Sequence, residues 1–167
     1  MTRFAGFLVI CAAALPIHAS ASPIAELFGT GETRGCYQRI YAADHLAKHP
    51  KQKVTRIELQ FGPQVAVQAE QYGPIRYHLA VKTRKPTQSP YPVEAYCKMK
   101  GQTISCGMEA DAGAFTVEQK SVGTLRLKVG WGMSFETDTD NVELQGSEDK
   151  VFVLTRVPAE NCMKIES

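Results

Sequence analysis

The sequence predicts an all-β protein: an antiparallel up-and-down meander of about ten short strands that closes as a small barrel, with a β-sandwich as the alternative. Three observations carry this. Apolar and polar residues alternate with a period of two through most of the chain, and turn residues interrupt them at fairly regular spacing. Hardly any helical pattern intervenes, so no crossover supports parallel pairing and sequence neighbours should pair as hairpins. Four cysteines beyond the leader form a framework suited to a closed sheet.

The leader comes first. Thr2-Arg3 is a short basic start, Phe4 to Leu15 an apolar stretch and Ala19-Ser20-Ala21 a small-residue cleavage site. Together they read as a signal peptide over residues 1–21, cleaved after Ala21 and directing the chain to the periplasm or outside the cell. The apolar run is too short for a stable span, and no later segment is long and apolar enough to cross a bilayer. Ile10 before Cys11 stands where a lipoprotein signal carries a small residue. Residues 22–35 read as a mobile leader and 36–167 as a single domain. Without Arg3 the chain has 18 basic and 17 acidic residues, a balance that asks for neither nucleic acid nor an acidic membrane as partner.

The elements follow in order. Cys36 to Tyr41 is the first strand, and Asp44 can cap a single helical turn, His45 to His49, that Pro50 stops. Thr55, Ile57, Leu59 and Phe61 alternate with Arg56, Glu58 and Gln60, the mark of a strand with one wet face. Val65, Val67 and Ala69 continue the alternation after Gly62-Pro63. Ile75, Tyr77, Leu79, Val81 and Thr83 oppose Arg76, His78, Lys82 and Arg84 in the clearest strand of the chain. Lys85 to Pro92 holds three prolines and reads as an exposed, extended connection rather than a strand. Val93 to Met99 and Ile104 to Met108 are the next strands. Asp111-Ala112-Gly113 turns the chain into Phe115 and Val117. Leu125 to Val129 precedes the only tryptophan, Trp131, between Gly130 and Gly132, and then Met133 and Phe135. Val142 and Leu144, then Val151 to Arg156, complete the set, and Cys162 sits in the tail.

The hairpin around Gly101-Gln102 fixes a register. Gly first in a two-residue loop suits a type II′ turn, and counting outward pairs Met99 with Ile104 and Cys97 with Cys106. The cysteines fall on a non-hydrogen-bonded pair, where Cα atoms approach to about 4.5 Å, near the lower limit for a disulfide. That leaves Cys36–Cys162 to join the start of the fold to its end. On a loop-entropy basis the short bridge is worth about 3 kcal/mol and the long one about 5.

Candidate chemistry is sparse. His45 and His49 have the i, i+4 spacing of a helical metal pair, but two ligands are too few and a solvated turn accounts for them. His78 lies on a polar strand face. Asp138, Asp140, Asn141 and Glu143 suggest an oxygen-rich calcium loop, yet the central Gly and terminal bidentate Glu are missing, so a hairpin turn accounts for them better. Glu109 and Asp111 flank a turn that needs polar residues anyway. There is no Gly-x-Ser-x-Gly, and the cysteines are accounted for as disulfides. No catalytic, metal or cofactor residue is assigned. Binding candidates are the basic strip Arg76, Lys82, Arg84 and Lys85 and the aromatic residues Tyr91, Tyr96 and Trp131. Trp131, Tyr91, Arg84 and Lys85 are the foremost of these.

The segment Cys36-Tyr37-Gln38-Arg39-Ile40-Tyr41, with His45 to Thr55 after it, resembles one found in small exported bacterial proteins of unassigned function. The resemblance implies an envelope location and carries over no functional residue. In outline the chain is also similar to bacterial lysozyme and protease inhibitors and to lipocalin-like carriers, whose diagnostic motifs are not present.

The reading that follows is a monomeric, non-catalytic barrel that binds another protein through exposed loops, an inhibitor being one such case. The alternative is a lipocalin-like carrier of a small apolar ligand. Core size separates them: large inward residues at Phe61, Tyr77, Met99, Phe115 and Phe135 filling the interior would exclude the carrier.

Overall fold

The structure, a computed structural model, describes residues 36–61, 75–85, 91–137, 140–144, 146 and 148–164. The expected signal peptide, the leader and the strand expected at Val65 to Ala69 lie outside the described residues. Nine strands are described: β1 (Cys36–Ile40), β2 (Val54–Phe61), β3 (Ile75–Thr83), β4 (Tyr91–Lys100), β5 (Thr103–Met108), β6 (Gly113–Ser121), β7 (Thr124–Thr137), β8 (Asp140–Glu143) and β9 (Val151–Val157). The one α-helix among the described residues, α1, runs Ala43–Lys48.

Every pairing is antiparallel, and β1-β2-β3-β4-β5-β6-β7-β9 closes back on β1 as an eight-stranded barrel. β8 pairs only with β7. Leu144 N–H donates to Met133 O at 2.7 Å and Val129 N–H to Lys150 O at 2.9 Å, so β8 and β9 are two stretches of one return path along β7. Closure removes the free edges that an open sheet would expose.

The alternation read from the sequence sets the interior. Tyr37, Ile57, Leu59, Tyr77, Leu79, Phe115, Leu125, Leu127, Phe152 and Leu154 are buried, and one apolar cluster draws members from all nine strands. The Gly101-Gln102 hairpin has the expected register, with Cys97 opposite Cys106 and their Cα atoms 4.1 Å apart. Gly101 adopts φ +63°, as the first central position of a type II′ turn requires. Cys36–Cys162 is the second disulfide, spanning 126 residues.

Some local expectations are corrected. α1 begins at Ala43 with Ala42 at its N-cap, so Asp44 lies in the first turn rather than capping it. There its charge still complements the helix N-terminus. β4 begins at Tyr91, inside the stretch expected to be a connection, and Pro92 pairs with Ala80. A proline costs a strand only one donor, and the alternation from Tyr91 through Val93 to Ala95 is satisfied inward. The strand read from Leu125 to Val129 is longer than that: β7 runs 14 residues, because the chain bulges at Trp131 and continues through Met133 and Phe135.

Candidate functional site

Among the described residues, strand directions divide the connections unequally. One end of the barrel carries the tight turns at Gly101-Gln102 and Val122-Gly123, with Cys36 and the tail beyond Val157 beside them. The other end carries α1, the end of β3, the 3-10 turn Glu109–Asp111 and the β7–β8–β9 extension. The elaborated end is the candidate interaction surface.

Its framework is polar and interlocked. Arg84 directs its guanidinium at three carbonyls: Gln52 O at 2.6 Å, Leu46 O at 2.6 Å and His49 O at 2.8 Å. It thereby holds the last turn of α1, whose carbonyls have no partner within the helix. Gln52, buried at the foot of this connection, donates to Val54 O and pairs its Oε1 with His45 Nε2 at 3.1 Å. Asp149, also buried, accepts from Lys53 N–H at 2.7 Å and Val54 N–H at 3.2 Å, so the loop before β9 caps the start of β2. Tyr41, His45 and His49 form a stacked column, with centroid separations of 4.8 and 4.3 Å, and Arg39 lies over the Tyr41 ring. Glu148 ends the column 3.5 Å from His49 Nδ1. Burial pushes the Tyr41 phenol above its ordinary value; Arg39 opposes this and Asp149 adds to it.

Toward the same end of the barrel, on β7, stands Trp131. Between the pairs Phe115–Val129 and Gly113–Met133, β6 advances two residues while β7 advances four, and Trp131 lies midway in the surplus. The bulge depends on backbone contact: a Cβ on Gly113, at φ +113°, would lie 1.9 Å from Gly132 O. Gly132 itself adopts φ +61°. The ring is thus carried on a bulge within a continuous strand rather than on a loop, and Trp131 is 69% exposed.

On the outer wall of β2 lies a buried carboxylate. Glu58 is fully buried because the tail crosses over it. It accepts from Arg56 Nε at 2.8 Å and from Arg56 Nη2, from Gln60 Nε2 at 3.0 Å and from Met163 N–H at 2.6 Å. Gln60 also donates to Met163 O and Arg56 to Asn161 O, both at 2.8 Å. Sequence reasoning read Glu58 as solvated, since an outward strand position gives no sign of what will cover it.

The foremost sequence candidates separate. Trp131 is displayed. Lys85 is exposed at the end of β3. Tyr91 is 1% exposed and belongs to the interior cluster, so it is not a surface anchor. Arg84 serves α1 as described, which its place in a basic strip could not reveal. Of the other candidates, Tyr96 is buried on the β4 wall and donates to Glu94 at 3.0 Å. Asn141 ties the β7–β8 hairpin, accepting from Ser134 at 3.0 Å and donating to Glu136 at 3.3 Å. Glu109 and Asp111 occupy the 3-10 turn. His45 and His49 face each other's rings.

The interior is occupied by side chains. Tyr37, Tyr77, Tyr91, Phe115, Phe135 and Phe152 are all essentially fully buried within it. Eight strands give a lumen that side chains can fill or that can hold one small ligand; here six large aromatic side chains take up buried positions in it. Among the described residues no helix is long and apolar enough to cross a membrane. Comparison with protein-family models, curated proteins and solved structures finds no match.

Proposed function

We infer that this chain is a non-catalytic binding module of an oxidising extracytoplasmic compartment, periplasmic or secreted, that grips a protein partner through the elaborated end of its barrel. Trp131 is the anchor. An inhibitor is one form such a module takes. The observation that carries this reading is the display of a tryptophan, 69% exposed, on a bulge where Gly113 lies too close to Gly132 to admit a side chain. Tryptophan is enriched at the energetic centre of interfaces, and a preorganised anchor loses little entropy on docking. The packed interior counts against the carrier alternative, and the two disulfides accord with an oxidising compartment.

Because Trp131 is the only tryptophan, a 5-fluorotryptophan label in this chain reports on that position alone, even among unlabelled host proteins. Addition of fractionated periplasmic or culture proteins of the host should shift and broaden the single 19F resonance in the fraction that holds the partner. A resonance unchanged by every fraction would remove Trp131 from the role.

A further inference from the structure

Where the tail crosses β2, three side chains able to ligate a metal converge. One sulfur each from Cys36 and Cys162 and a carboxylate oxygen of Glu58 all lie within 4.8 Å of one another. We propose that the reduced form of this chain binds a zinc-class divalent cation through Cys36, Cys162 and Glu58, so that the long disulfide and the metal are alternative closures of the same seam.

The chemistry balances in two steps. A dithiol reductant gives two electrons and two protons to Cys36–Cys162, leaving two thiols and its own disulfide. The cation then displaces both thiol protons and is held by two thiolates and the carboxylate. Two thiolates and Glu58 carry three negative charges, which Arg56 and a divalent cation neutralise. With Zn–S bonds of about 2.3 Å in tetrahedral geometry, the sulfurs stand about 3.8 Å apart. The Cα atoms, 6.1 Å apart, permit that opening by side-chain rotation.

What keeps the ligands together once the disulfide opens is independent of the disulfide. Met163 N–H on Glu58, Gln60 on Met163 O and Arg56 on Asn161 O, at 2.6, 2.8 and 2.8 Å, hold the residues flanking Cys162 over β2. Cys36 is fixed within β1, opposite Gln60. Gln60 and Met163 N–H also orient the carboxylate, the support that a ligating carboxylate needs. Cys162 is half-buried, so the cation has an approach and a fourth position open to water. Cys97 and Cys106 are buried inside the barrel and, among the described residues, no carboxylate joins them in such a grouping, so the second disulfide offers no equivalent site there.

The test uses the intact chain, oxidised and reduced, titrated with Cd2+ and followed by the thiolate-to-metal charge-transfer band, with Zn2+ in competition. The reduced chain should take up a single equivalent and the oxidised chain none. Glu58→Gln should weaken binding by about tenfold or more. Alkylation of the reduced wild-type chain, mapped by peptide, should find Cys36 and Cys162 protected by Zn2+, and needs no variant to fold. No uptake on reduction, equal uptake by the oxidised chain, unaltered affinity in Glu58→Gln, or protection confined to Cys97 and Cys106 would each overturn the proposal.

Discussion

The backbone N–H of Met163 donates to the carboxylate of Glu58 at 2.6 Å, joining residues 105 apart in the sequence. This contact, beside the Cys36–Cys162 bridge, lays the tail over the outer wall of β1 and β2. It turns an outward-facing, nominally wet glutamate into a fully buried one. A buried charge is tolerated only when it is paired and hydrogen-bonded. Glu58 has four donor groups to meet that need.

Removing the carboxylate should therefore cost more than an outward strand position normally does. Glu58→Ala leaves Arg56, Gln60 and the Met163 N–H without their acceptor, and should lose about 3 kcal/mol. Urea denaturation reads this directly. A change within the ordinary surface range, about 0.5 kcal/mol, would mean the tail does not seal the residue.

Two glycines should respond oppositely to the same methyl group. Gly113→Ala places a Cβ 1.9 Å from Gly132 O at φ +113°, and is expected to cost about 3 kcal/mol or to collapse the bulge beneath Trp131. Gly107→Ala meets nothing within 4 Å and should be neutral or slightly stabilising. Thermal unfolding of the two variants side by side checks the contrast.

Arg84→Ala should act on stability rather than on recognition. Three charge-assisted bonds to carbonyls are lost, but they are partly exposed, so the expected cost is about 1–2 kcal/mol. Amide hydrogen exchange should accelerate over residues 43–53, while Trp131 emission stays as in the parent. Exchange unchanged in that segment would show that α1 is held by other contacts.

Burial raises the phenols of Tyr37, Tyr41 and Tyr77 above the ordinary value of 10.0, with Tyr77 moved furthest. The sign follows from proton linkage. The folded state keeps the proton to higher pH than the unfolded state does, so the stabilisation is complete below pH 10 and is lost as pH rises above it. Alkaline unfolding monitored by tyrosinate absorbance should begin above about pH 10, and Tyr77→Phe should move its onset upward. An onset unmoved in that variant would place the alkaline transition elsewhere.

How much of this was legible in the sequence divides along the range of the interactions. Strand alternation and the Gly101-Gln102 register are local, and they specify the closed sheet and the Cys97–Cys106 pair because a one-residue slip would turn every apolar side chain outward. The partners of Glu58 and Arg84 come from far along the chain, and a charged residue on an outward face reads alike whether water or a tail covers it. The glycines around Trp131 could not show by themselves that β7 continues through them, bulged against Gly113. Prolines near Tyr91 hid an inward side chain. Trp131 was the exception: its flanking glycines marked a special position, although only the structure shows what they build.

The most direct test of Trp131 as the partner-facing anchor is site-specific photo-crosslinking in the native host. A benzophenone side chain replaces Trp131 in one variant and Val122, 94% exposed in the tight turn at the opposite end of the barrel, in another. A discrete protein adduct from position 131 and none from position 122 is the predicted result. Adducts of equal yield from both positions, or none from 131, would contradict it.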